Sequence, residues 1–291
     1  MRQFGLSITP YMILIISILF WPQYIFESIT GRGLGTRDGE VLFNIIPYLD
    51  SPYCLILGSS TAQCGINPNH LNIKDITAYN LGTSAQTVAG SKHILNRISE
   101  SRAPDILILD VYSNYFCRSS REFAYDFIGR NPIGNSWRNA SFLLSQKDNY
   151  LTLLFLRSFL HKPSISLEEH PNIRGHRSHI TSALSNTPEC TTSFTSPHPQ
   201  NTQALSQIIK ICNQNHIKLI LTLPPDLCES RNLEFTRALR NIAPTISIID
   251  GNSWDQRQPE FFIDDHHLNK SGAVAYSKWL NTQLDYALQQ P

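Results

Sequence analysis

Five short segments constrain what this chain can fold into: YCLIL (residues 53–57), ITAYN (76–80), ILILDV (106–111), IKLILTL (217–223) and ISIID (246–250). Each is bounded by turn residues and rich in isoleucine, leucine or valine. Such near-continuous apolar runs mark strands of a parallel sheet covered on both faces. Segments with helical spacing lie at 87–100, 201–215, 230–242 and 270–288, the last with Val274, Trp279, Leu280, Leu284 and Leu288 on related faces. Strands alternating with helices imply right-handed crossovers and a doubly wound α/β sheet of about five strands. With 291 residues, 41% of them hydrophobic and 16% charged, the chain can bury one large core. A net charge of +1 and the lack of a lysine or arginine run give no basic face for nucleic acid.

The amino-terminal region differs from the rest. From Phe4 to Phe26 the only ionisable side chains are tyrosines, and Met12 to Trp21 is almost wholly apolar. That length suits a membrane span, which needs roughly 20 residues. No small-x-small cleavage site follows, and Trp21 and Tyr24 suit an interfacial anchor. The expectation is an uncleaved anchor and linker over 1–38, with the main domain over 39–291; a cleaved signal peptide and a buried core helix are the competing readings. Arg2 precedes the segment and Arg32 and Arg37 follow it, so the positive-inside count leans against export.

In a doubly wound sheet, ligands bind outside the carboxyl ends of the strands. There the sequence places Gly58-Ser59-Ser60, then Asn80-Leu81-Gly82, then Asp110-Val111-Tyr112-Ser113-Asn114, and near the carboxyl terminus Asp264-x-x-His267 followed by Leu268-Asn269. In this order and context the chain resembles the SGNH/GDSL hydrolase superfamily over about residues 50 to 288. Its closest likeness is to the membrane-anchored branch that transfers or removes acyl groups on cell-surface polymers. The resemblance implies a flavodoxin-like, SGNH-hydrolase-like fold, with Ser60 as nucleophile, His267 as base and Asp264 as its orienting acid. It also implies an oxyanion hole from the Ser60 and Gly82 amides and the Asn114 side chain, with no cofactor or metal.

The chemistry stands independently of that resemblance. A serine hydroxyl needs a base to take its proton as it attacks a carbonyl, and an imidazole needs a carboxylate to fix its tautomer and orientation. Three residues of separation let Asp264 reach His267 within one turn. Gly58 permits a tight strand-to-helix turn that leaves Ser60 near helix amides. His266 is expected to face solvent, and Asn269 to cap the last helix.

Two departures from the superfamily pattern stand out. Ser59 replaces the usual aspartate of the first block, which the anchored branch tolerates. The third block lacks its glycine and places Asn114 late, with Ser113 as a substitute donor and a structural turn asparagine as the plain alternative. A missing oxyanion donor costs roughly 3 kcal/mol.

Residues 117–200 read as an insertion. It contains an apolar helical stretch at 150–160, a cover for the sheet or a lid, and a polar proline-bearing run at 185–200. Glu168, Glu169, His170, His176 and His179 match no helical zinc spacing, and GRGLGTR at 31–37 follows no strand, which argues against a nucleotide loop. Cys54 and Cys212 lie in apolar segments as small hydrophobes, whereas Cys117, Cys190 and Cys228 lie where a disulfide could form.

Two functions follow as expectations. The first is ester hydrolysis or O-acyl transfer through an acyl-enzyme on Ser60, acting on acetylated carbohydrate or cell-envelope polymer from an extracytoplasmic position. The second is a non-catalytic polymer-binding or scaffold protein on a decayed version of the fold, partnering an integral membrane acyltransferase.

Overall fold

Buried parallel strands need no polar face, and the central strands of this chain satisfy that condition. The computed structural model describes residues 52–73, 76–123, 181–185, 196–228 and 232–289, all of which belong to one compact unit. Strands β1 (Tyr53–Leu57), β2 (Thr77–Asn80), β3 (Ile106–Asp110), β4 (Lys218–Leu223) and β5 (Ser247–Asp250) form one sheet in the order β2-β1-β3-β4-β5, every pair parallel. This is the doubly wound, flavodoxin-like order expected, with its switch point between β1 and β3. All residues of β1 and β3 are buried, so each aliphatic side chain there contributes about 1.5–3 kcal/mol of transfer free energy.

The helices are α1 (Ser60–Gly65), α2 (Val88–Ser99), α3 (Ser113–Phe116), α4 (Pro199–Gln214), α5 (Asn232–Ile242) and α6 (Lys270–Gln289). Thr87 caps α2 by accepting the Gly90 N–H, and Pro199 occupies the first turn of α4, where a missing donor costs nothing. Asn269 caps α6 as expected: its Oδ1 accepts the Gly272 N–H at 2.9 Å, while its amide donates to the carbonyl of Glu260 at 2.7 Å.

The buried stripe of α6 departs from the apolar positions. Ala273, Tyr276, Ser277, Leu280, Leu284 and Ala287 face inward, whereas Val274, Trp279 and Leu288 are only partly covered. Ser277 is tolerated inside because its hydroxyl donates to the Ala273 carbonyl (2.6 Å) and accepts the Asn67 N–H (2.8 Å).

No helix among the described residues is long and apolar enough to cross a membrane. The Phe4–Phe26 segment, the apolar stretch at 150–160, the Glu168–His179 group and Cys190 lie outside the described residues. Cys54 and Cys212 are buried free thiols, as expected. Cys117 forms no disulfide, while Cys228 is disulfide-bonded.

Candidate active site

The turn after β1 is built by close approach. A Cβ on Gly58 would lie 2.7 Å from Cβ of Asp110 and 2.8 Å from Cβ of Ala62, so only glycine lets β1 turn sharply into α1 against the end of β3. Ser59 then caps α1, its hydroxyl oxygen accepting the Thr61 N–H. Ser60 is the first helical residue, and the leading amides of a helix have no intrahelical acceptors.

The opposite wall comes from the turn before α6. Asp264 Oδ1 accepts the backbone N–H groups of His266 (3.0 Å) and His267 (2.7 Å), closing the turn, while Oδ2 lies 2.7 Å from His267 Nδ1. An ionised carboxylate only accepts, so Nδ1 carries the proton and Nε2 keeps its lone pair. That Nε2 lies 2.7 Å from Ser60 Oγ, joining residues 207 positions apart. The Leu227 N–H donates to the Asp265 carbonyl (2.9 Å), which ties the turn to the chain after β4.

Burial alone would raise the Asp264 pKa. The His267 ring, the His266 N–H and the charge of both imidazoles outweigh it and hold the carboxyl well below its usual range. His266, expected in solvent, is only 20% exposed. Its ring stacks on Tyr112 (centroids 4.8 Å apart, 17° between planes), and its Nδ1 lies 2.6 Å from Asp265 Oδ1. Burial and the neighbouring His267 lower its pKa, against the pull of Asp264 and Asp265.

The three oxyanion candidates are placed differently. The Gly82 N–H donates to Asn80 Oδ1 at 2.8 Å, and the glycine packs so tightly on α1 that a Cβ would lie 2.9 Å from the Gln63 nitrogen. Asn114 Nδ2 donates to the Tyr112 hydroxyl at 2.8 Å, so this asparagine is held by the ring that supports His266. Ser113, the substitute donor, has a buried hydroxyl with no hydrogen-bond partner among the described residues. The Ser60 amide is the leading N–H of α1, a position with no intrahelical acceptor.

Sequence reasoning missed Tyr112 and the buried hydrogen-bonded group beneath Ser60, formed by Ser59, Thr61, Asp110 and Thr222. An aspartate closing an otherwise apolar strand was the available signal for that group.

Two sets of described residues bring potential metal-ligating atoms within 4.8 Å of one another: Asp264, His266 and His267, and Asp226, Cys228 and Asp265. In the first set both Nδ1 atoms already meet carboxylates, and in the second the Cys228 sulfur is in a disulfide. A groove of about 810 Å³ lined by Trp254, Lys270, Lys278 and Trp279 contains none of Ser60, Asp264 and His267.

No family model matches the chain, and no curated protein does. Among the solved structures similar to it are three that cover most of both chains. A Bacteroides fragilis protein described as an acylhydrolase has 10% identity and a TM-score of 0.45, over 85% of this chain and 96% of its own. A Streptococcus pneumonia protein described as a platelet activating factor has 11% identity and a TM-score of 0.46, over 91% and 98%. An acetyl xylan esterase has 13% identity and a TM-score of 0.40, over 81% and 99%.

Proposed function

We propose that this chain is a serine-dependent esterase or O-acyltransferase of the SGNH/GDSL type. One observation carries the reading: Ser60 Oγ, His267 and Asp264 form a continuous hydrogen-bonded chain with 2.7 Å at both links, at the carboxyl edge of the sheet. Ser60 attacks an ester carbonyl while His267 Nε2 takes its proton, and Asp264 holds the imidazole in the required tautomer and stabilises the imidazolium. The Ser60 amide supports the oxyanion, joined by the Gly82 amide and the Asn114 side chain as substrate draws them from Asn80 and Tyr112. His267 returns its proton to the leaving alcohol. Water or a second hydroxyl then attacks the acyl-enzyme, with His267 again as base.

An acylated carbohydrate or cell-envelope polymer is the proposed substrate, with an integral membrane acyltransferase as a partner. The sequence resemblance supports both, as the apolar Phe4–Phe26 segment supports a membrane anchor. The disulfide at Cys228 supports an oxidising, extracytoplasmic setting. The rival scaffold reading has one observation in its favour: the Gly82 and Asn114 donors already have internal acceptors.

The test is the intact mass of the full-length chain after exposure to a fluorophosphonate. One adduct, absent in Ser60→Ala, is the expected result. A folded wild-type chain that takes no adduct overturns the enzyme reading in favour of the scaffold.

A further inference from the structure

Beneath the nucleophile turn lies a buried carboxylate that the reaction does not use. Asp110 closes β3 and is 4% exposed; Ser59 (1%), Thr61 (4%) and Thr222 (0%) surround it. Thr61 Oγ1 donates to Asp110 Oδ2 at 2.6 Å, and Thr222 Oγ1 donates to Oδ1 at 3.0 Å. Ser59 Oγ lies 2.8 Å from Thr61 Oγ1. Because the Thr61 proton is committed to the carboxylate, Ser59 must donate to Thr61, so every proton in the group points toward Asp110. Among the described residues no cation pairs with it.

A buried charge without a cation is costly, and burial does raise this carboxyl, to about 7. Mere packing would be better served by an apolar residue. The placement gives another reason: both residues flanking Ser60 in the chain are hydrogen-bonded into the group, and the Gly58 backbone packs on the Asp110 side chain itself.

We propose that Asp110 is a positioning residue for Ser60, gripping Thr61 so that the first turn of α1 holds the Ser60 hydroxyl against His267 and its amide toward the oxyanion. It supplies, from β3, a carboxylate to a turn in which Ser59 stands where an aspartate would otherwise be. The inference rests on the proposed nucleophilic role of Ser60. A displacement of about 1 Å in a reacting group can cost on the order of a hundredfold in rate, and the Asp110–Thr61 bond guards against that displacement.

The experiment measures the second-order rate of fluorophosphonate modification at Ser60 in the full-length chain for wild type, Thr61→Val, Thr61→Ser, Asp110→Ala and the Val/Ala double variant. Melting curves and circular dichroism accompany each. Thr61→Val keeps the side-chain shape and leaves Asp110 its bond from Thr222, so its fold is expected to persist. The expected result is a loss of about tenfold to a hundredfold in Thr61→Val. Thr61→Ser is expected to restore at least half of the wild-type rate, and the double variant to be no slower than Asp110→Ala. A folded Thr61→Val labelling at the wild-type rate overturns the inference, as does an equal loss in Thr61→Ser. If Asp110→Ala does not fold, the Val and Ser pair alone decides. A wild-type chain that takes no label refutes the role of Ser60 itself, a result distinct from a labelled wild type with an equally labelled variant.

Discussion

Replacing Asp264 by asparagine tests the tautomer argument at a single atom. In the native turn Oδ1 receives two backbone N–H groups, so an asparagine keeps its carbonyl oxygen there and presents its amide nitrogen to His267 Nδ1, where Oδ2 now lies at 2.7 Å. A donor at that place obliges Nδ1 to accept. The ring proton then sits on Nε2, which can no longer take the proton of Ser60. In serine proteases, whose aspartate is buried, the same exchange lowers kcat about 10⁴-fold. The Asp264 side chain is 45% exposed, so water replaces part of the carboxylate's effect on the imidazolium. The expected loss is therefore between about 10² and 10⁴ in kcat, or about 3 to 5.5 kcal/mol at 1.36 kcal/mol per tenfold, with KM within about threefold. Steady-state hydrolysis of p-nitrophenyl acetate measures both constants, with circular dichroism as the control for folding. A kcat within tenfold of wild type, or a loss carried mainly by KM, would refute the orienting role.

The remaining predictions concern stability. The Asp110 pKa is raised by burial to about 7, against about 3.9 in an unfolded chain, so between these values the folded state binds the extra proton. Stability from this group is thus greatest below about pH 4 and declines as pH rises to about 7; Asp110→Asn should remove that decline, and melting temperature against pH for both chains checks it. A difference between the two chains that does not change over this window would contradict the assignment. Asn80 is 2% exposed and donates to the Ala62 and Ile66 carbonyls while accepting the Gly82 N–H, all at 2.8 Å. Asn80→Ala is expected to cost about 2–4 kcal/mol in urea unfolding because it strands buried polar groups. Asn80→Asp, which can recover only the Gly82 bond, should remain destabilised, and a wild-type midpoint in either variant would count against this accounting.

Much of the site was visible in one dimension because its parts are local. Asp264 and His267 share one turn, and Asn269 caps the helix that begins one residue later, so spacing alone places these groups. The central strands were equally plain, since β1 and β3 are buried at every position and so leave no choice of face to infer, whereas the edge strands β2 and β5 are only partly buried. Helix α6 was harder. Its inward stripe includes Ser277, whose burial depends on a hydrogen bond from Asn67, 210 positions away. The same limit applied to His266: nothing beside it in the chain announces Tyr112, on whose ring it lies.

The sequence by itself determined the strand set, the parallel α/β class and the order in which serine, aspartate and histidine arrive, because local polarity and spacing encode them. Only the tertiary structure decided that His267 meets Ser60, that the Gly82 amide already has an acceptor, that Cys117 forms no disulfide while Cys228 does, and that Asp110 lies buried under the Ser60 turn. Those outcomes depend on which distant groups the sheet order brings within about 3 Å, the range at which hydrogen bonds form, and no local pattern carries that distance.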